Sequence, residues 1–395
     1  MTEPSTPLST ALIHHAYQPP AGFGAVPPGV HKASTVIFPN VAALRARDWR
    51  NKNGYTYGLH GTPTTFMLEE RLATLEGGSH CVLAPSGLAA IAMTNIALLR
   101  RGDEVLLPSN AYGPSREMAR SLLAEWGITH KVYDPMDVAA FKAAIGERTR
   151  LVWLEAPGSI TMEFPDLRAL SRAARQSGVL SALDNTWGAG VALRPFELGE
   201  GATVDLSMHA LTKYPSGGAD VLMGSVVTRD GALREKLLLA HMRLGIGVAA
   251  NDAEFVLRSL PTLELRYRAH DQAARRVAQW LQAQPPVHQV LHPALPGSPG
   301  HEHWASHCRD AAGLFSILLD PSVPAASVDA FCNALRLFKL GYSWGGPVSL
   351  AVPYDLRLLR GEATRLSGHL VRFSIGLEAS DDLIADLDQA LQTLR

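Results

Sequence analysis

Residues 1–60 show no sustained apolar period, and Pro19-Pro20 and Pro27-Pro28 forbid long helices there. Such a segment needs support from outside itself, and packing on a neighbouring subunit would supply it. From residue 61 the pattern becomes regular. Leu68, Leu72 and Leu75 fall on one face of a helix predicted over Thr65–Glu76, with Gly77-Gly78 as its stop. Val82-Leu83-Ala84 reads as a short strand, and Ser86 can cap the helix that follows. Short apolar runs at Glu104–Leu107, Lys131–Tyr133, Leu151–Leu154, Val179–Leu183 and Leu222–Thr228 predict further strands, several separated by helical stretches. The alternation predicts an α/β region over residues 61–255 with a mostly parallel central sheet.

A long helical pattern over Asp252–Gln282 leads into a second region, residues 256–395. Leu314–Leu319 and Val371–Ile375 read as strands, Ser327–Phe338 as a helix, and a last helix begins near Asp381. Pro285–His307 reads as loop. This region is expected to be a smaller α+β domain.

Composition narrows the function classes. With 36 Lys plus Arg against 37 Asp plus Glu, the net charge of -1 gives no long-range attraction to nucleic acid or anionic lipid. Cys81, Cys308 and Cys332 are few, scattered and odd in number, which argues against a disulfide framework and for a reducing compartment. The first residues carry no basic and apolar signal pattern, and no run approaches the ~18 apolar residues of a membrane span. A cytoplasmic enzyme acting on small molecules is the expectation.

Three features fall where strands end, the place where open α/β sheets bind ligands. Ser86-Gly87-Leu88 opens a helix, whose free N–H groups suit a phosphate. Asp184 follows an apolar run and can hold a protonated ring nitrogen. Lys213 sits in Thr212-Lys213-Tyr214, before the turn Ser216-Gly217-Gly218, and a lysine in a partly apolar pocket can form a Schiff base. Taken singly, these are more often a helix cap, a turn residue and a solvated lysine. In this order they match the needs of pyridoxal 5'-phosphate (PLP): a phosphate grip, a partner for the pyridinium and an amine.

At this point the chain resembles the Cys/Met-metabolism family of PLP enzymes, almost from end to end. The matching segments are His31–Val36, Tyr55–Thr64, Pro85–Ala90, Ala111–Pro114, Glu155–Ser159, Leu183–Thr186, Leu211–Tyr214, Gly341–Gly346 and Val371–Ser374. The resemblance implies the aspartate-aminotransferase-like fold (fold type I) and a homotetramer of two tight dimers. It implies that Lys213 bonds to PLP, Asp184 pairs with the pyridine nitrogen and Tyr112 stacks on the ring. Gly87, Leu88 and Thr212 would bind the phosphate, with Tyr57 reaching in from a neighbouring subunit. Lys213, Tyr112 and Tyr57 would be the catalytic side chains. Arg372 would clamp the substrate carboxylate, with Ser343 and Trp344 beside it. Trp344, in Tyr342-Ser343-Trp344-Gly345-Gly346, resembles the β-lyases, which cleave cystathionine to homocysteine, pyruvate and ammonia in methionine biosynthesis; the lesser alternative is a plain core residue.

Two positions depart from the family pattern. Leu59, followed by His60, stands where an Arg usually reaches the phosphate, and Ala210 stands where many members carry Ser. Arg116 is a candidate to compensate. Alternative readings are a γ-lyase, γ-synthase or cysteine desulfhydrase of the same family, and a PLP-fold binding protein without catalysis. Leu59 and Ala210 favour the last, whereas Lys213, Asp184, Tyr112 and Arg372 oppose it. A metal site would have to draw on His301, His303, His307 and Cys308, whose spacing fits a solvated loop better; no metal is expected.

Overall fold

The structure is a computed structural model, and it describes residues 6–15, 21–356, 366 and 368–394. The strands of the first sheet are β1 (His80–Ala84), β2 (Glu104–Pro108), β3 (Thr129–Tyr133), β4 (Thr149–Glu155), β5 (Leu180–Asp184), β6 (Leu206–His209) and β7 (Gly224–Thr228). They lie in the order β1-β7-β6-β5-β4-β2-β3. Every neighbouring pair from β6 to β3 is parallel. Only β7 runs antiparallel, against both β1 and β6. Leu151, Val152, Trp153 and Leu154 of β4 are all buried, so this strand is covered on both faces, as a continuous apolar run in a parallel sheet demands.

The second sheet holds β8 (Val287–Leu291), β9 (Leu314–Leu319), β10 (Lys339–Leu340), β11 (Leu350–Tyr354) and β12 (Leu370–Ser374), in the order β10-β11-β12-β9-β8. It is antiparallel except for the β10–β11 pair. One apolar cluster joins the two sheets, since Leu314, Leu318 and Leu370 pack with Leu183, Leu211 and Tyr214. The Tyr214 hydroxyl accepts the Gly313 N–H at 2.8 Å, and Ser316 Oγ donates to Ile160 O at 2.6 Å. The expected α/β and α+β parts therefore meet in a shared core.

Several boundaries differ from the pattern reading, each for a local reason. Strand β6 escaped it, because Leu206-Ser207-Met208-His209 alternates with polar residues that are nevertheless fully buried. The stretch Pro285–His307 holds strand β8 and the helix His301–His307. Pro261 divides the long helical pattern into Ala250–Ser259, a 3-10 turn Leu260–Thr262, and Leu263–Gln282. The helix expected over Ser327–Phe338 spans Ala325–Ala334. It stops because the buried Asp386 carboxylate captures the next free N–H groups, at 2.8 Å from Arg336 and 2.7 Å from Leu337.

In the N-terminal segment, Leu12 of the helix Leu8–Ile13 enters the core, while Phe23, Val26, Ile37 and Val41 stay exposed.

Candidate active site

The functional side chains gather at the carboxyl ends of the parallel strands. Ser86 and Gly87 follow β1, Tyr112 follows β2, Glu155 ends β4, Asp184 ends β5, and Lys213 lies four residues past β6. The second sheet supplies Arg372 from β12, and the loop between β10 and β11 supplies Ser343 and Trp344.

Lys213 is held from several sides. Its Nζ donates to Ser343 Oγ at 2.7 Å and lies 5.4 Å from the centroid of the Trp344 ring. Trp344 in turn meets the buried Tyr214 edge-on, with centroids 5.6 Å apart. It is thus both a core-packing residue and a neighbour of the amine. Gly345 has φ +79°, and a Cβ there would fall 2.9 Å from Tyr214 N and 3.2 Å from the Lys213 carbonyl carbon. The loop can approach the lysine backbone only because this residue is glycine. Burial, reinforced by the Arg372 charge and opposed by Asp184, brings the Lys213 amine down to about 8. A lysine so placed has a neutral, nucleophilic fraction near neutrality.

Asp184 is buried at the end of β5. Thr186 donates to its Oδ1 twice, from N–H at 3.0 Å and from Oγ1 at 2.5 Å, so Oδ2 carries no hydrogen bond among the described residues. Burial pushes the carboxyl up, and the Thr186 bonds and the charges of His209 and Lys213 oppose this. A cation docking on the carboxylate would hold it ionised. Tyr112 begins the helix Gly113–Met118, and its N–H donates to Glu155 Oε2 at 2.8 Å. Burial, then the charges of Asp184 and Glu155, raise the pKa of its phenol.

The helix Gly87–Leu98 points its start at the same place. Ser86 caps it by accepting the Ala89 N–H at 3.0 Å, which leaves Gly87 and Leu88 without acceptors inside the helix. A Cβ on Gly87 would lie 2.7 Å from Ala210 Cβ, and one on Gly224 would strike Ser86 O. The cradle is therefore bare backbone, suited to an anion. Thr212 Oγ1 accepts the Met223 N–H at 3.1 Å and donates to Met223 O at 3.3 Å. With a buried carboxylate, a lysine of lowered pKa and a helix-start cradle, the donor set fits PLP.

Arg372 is buried on β12, with its guanidinium 5.4 Å from the Tyr354 ring centroid, and burial lowers its pKa. Its charge is among those that lower the Lys213 pKa. Tyr57 is half-exposed before the turn Gly58–His60; its ring partner is His60, at 6.4 Å. Among the described residues no hydrogen bond or ring contact joins it to the Lys213 group within one chain. Leu59 and His60 line a pocket with Trp49, Lys52, Glu69 and His241, where Lys52 pairs with Glu69 at 2.5 Å. Arg116 donates to Ser109 O at 3.0 Å. His301 and His307 hydrogen-bond to Pro293 O and His303 O, and among the described residues no group of three such ligands is placed to hold a metal ion. The sequence reading named Glu155 only within a matching segment, without a role, and missed Tyr354. Glu155 could have been found as the acidic end of the β4 apolar run, whereas Tyr354 sits by Arg372 only through the β11–β12 pairing.

The sequence pattern of the family described as Cys/Met metabolism PLP-dependent enzyme matches residues 9–392. The chain is 39% identical to a putative cystathionine beta-lyase of Rhizobium johnstonii over 97% of this chain and 95% of that one. It is 37% identical to cystathionine beta-lyase MetC of Escherichia coli, covering 96% and 97%. A solved structure of cystathionine gamma synthase from Xanthomonas oryzae pv. oryzae, in complex with aminoacrylate and cysteine, superposes with a TM-score of 0.89 at 31% identity, covering 98% of both chains. The α/β fold, with its mixed central sheet and second small sheet, is that of these PLP-dependent enzymes, and PLP is the cofactor. The chain belongs to the Cys/Met metabolism family of PLP-dependent enzymes.

Proposed function

We propose that this enzyme is a carbon–sulfur β-lyase that cleaves L-cystathionine to L-homocysteine, pyruvate and ammonia, a step of methionine biosynthesis. The observation that carries the reading is Trp344, which follows the serine holding Lys213 and stands 5.4 Å from the Lys213 ammonium. The beta-lyase names of the Rhizobium and Escherichia relatives support it.

When bound, PLP supplies an electron-withdrawing ring that stabilises negative charge at the substrate Cα. Arg372 takes the substrate α-carboxylate through its fork of donors and so fixes Cα relative to Lys213. Asp184 would hold the bound ring's nitrogen through its carboxylate, which favours a proton there. Lys213, neutral above about 8, removes the Cα proton and passes a proton to the departing sulfur. Ser343 anchors Nζ between these two transfers, and Tyr112 orients the ring from the end of β2. Homocysteine leaves with the sulfur, and the remaining three carbons, hydrolysed by one water molecule, leave as pyruvate and ammonia.

We also propose a homotetramer in the cytoplasm. Phe23, Val26 and Ile37 are exposed apolar side chains on a segment with little regular structure, as a second copy would cover, and Tyr57 would then complete the neighbour's site. The three cysteines are free and buried, in keeping with a reducing compartment, and among the described residues no helix is long and apolar enough to cross a membrane.

The test is product analysis with cystathionine. Pyruvate is expected, and 2-oxobutyrate in its place would assign γ-cleavage and refute the β-lyase reading.

A further inference from the structure

Three residues flanking Asp184 and its neighbour on β6 converge on one carboxylate that the reaction itself does not use. Glu76 ends the helix Pro63–Glu76 and is fully buried. Its Oε2 accepts from Asn185 Nδ2 at 2.9 Å and from Ser207 Oγ at 2.6 Å, and its Oε1 lies 3.1 Å from His209 Nδ1. Asp184 pairs with Met208 in the β5–β6 register, so Asn185, Ser207 and His209 surround that rung. His209 is itself fully buried, and its Nε2 makes no hydrogen bond among the described residues. The next residue, Ala210, donates its N–H to Thr186 Oγ1 at 3.0 Å, and that hydroxyl donates to Asp184 Oδ1 at 2.5 Å.

Glu76 therefore acts on Asp184 through the ends of two strands. Asn185 follows Asp184 directly, while His209 precedes the residue whose N–H fixes Thr186 against Asp184. Removing the shared acceptor would leave three buried donors unsatisfied and free both strand ends to shift.

We propose that Glu76 is a positioning residue for the cofactor: through Asn185, Ser207 and His209 it fixes the ends of β5 and β6 and holds the Asp184 carboxylate where the pyridine nitrogen meets it. The inference rests on the PLP site alone and holds for whichever sulfur amino acid the enzyme cleaves.

The test uses full-length holoenzyme and reads the cofactor rather than turnover. Glu76→Gln keeps the size and one acceptor oxygen and removes the charge. Its PLP dissociation constant is expected to rise about tenfold or more. A ring nitrogen less firmly protonated lets the Lys213 nitrogen keep its proton to higher pH, so the visible absorbance titration should move up by about one pH unit. Asp386→Asn is the control, because Asp386 is a buried carboxylate on the helix Ser380–Leu391 that accepts backbone N–H groups in the second region. It should lower the melting temperature and leave both cofactor readings unchanged. Wild-type PLP affinity and titration in Glu76→Gln would overturn the proposal, and so would an equal loss of PLP affinity in Asp386→Asn. Should Glu76→Gln fail to fold, His209→Gln carries the same test: it removes the ring that meets Glu76 Oε1 at 3.1 Å, and PLP affinity and titration unmoved from wild type would overturn the proposal. None of these readings depends on which product cystathionine yields.

Discussion

The Nζ of Lys213 donates to the Oγ of Ser343 at 2.7 Å, a bond that joins residues 130 positions apart and ties the two sheets together at the amine. Ser343 makes this bond from a backbone with φ +92°, a conformation that side-chain-bearing residues rarely adopt. A strained residue at the amine marks a place where geometry is maintained at some cost in stability.

Ser343→Ala should therefore leave the fold intact and lower kcat/KM by about tenfold, the loss expected for one hydrogen bond to a charged group. Ser343→Gly should lose the same activity yet relieve the backbone strain. Comparing the kinetics and melting temperatures of the two variants checks both halves. Equal stability in the two would remove the strain argument.

Arg372→Leu removes the carboxylate clamp. The KM for cystathionine should rise by a factor corresponding to about 2–4 kcal/mol, as for a buried charge-assisted pair. Steady-state kinetics measure it, and an unchanged KM would exclude the role.

The pH profile follows from Lys213. Its amine pKa is about 8, below the ordinary 10.5, so the neutral base prevails above about 8 and is lost as pH falls through that value. The acid limb of kcat should have an apparent pKa near 8. Arg372 is one of the charges that lower the Lys213 pKa, so Arg372→Leu should move this limb to higher pH. A limb unmoved in that variant would separate Arg372 from Lys213.

Gly345→Ala places a Cβ 2.9 Å from Tyr214 N at a residue with φ +79°. The strain should cost about 1–3 kcal/mol and shift the turn that carries Lys213. A lowered melting temperature with weakened PLP binding is the expected result.

The sequence made legible whatever depends on neighbours along the chain. The apolar runs of β1, β2, β4 and β5 are continuous because both faces of those strands are covered. Gly87 and Asp184 follow such runs, so motif and pattern agreed on them, whereas Lys213 follows β6 and was legible only through its motif and the Gly-rich turn after it. Strand β6 was hidden because Ser207 and His209 are buried polar residues, satisfied by Glu76 from a helix more than a hundred residues away. Strand β8 was hidden because it lies at the edge of its sheet behind Pro285-Pro286, with His288 exposed. Tyr354 beside Arg372 is likewise a product of strand pairing, which no local period encodes.

Reduction of the holoenzyme with borohydride, followed by peptide mapping, shows which lysine carries the cofactor. One pyridoxyl adduct is expected, on the peptide containing Lys213, with loss of the yellow absorbance and of all turnover in Lys213→Ala. An adduct on another lysine, or full activity in that variant, would exclude Lys213 from that role.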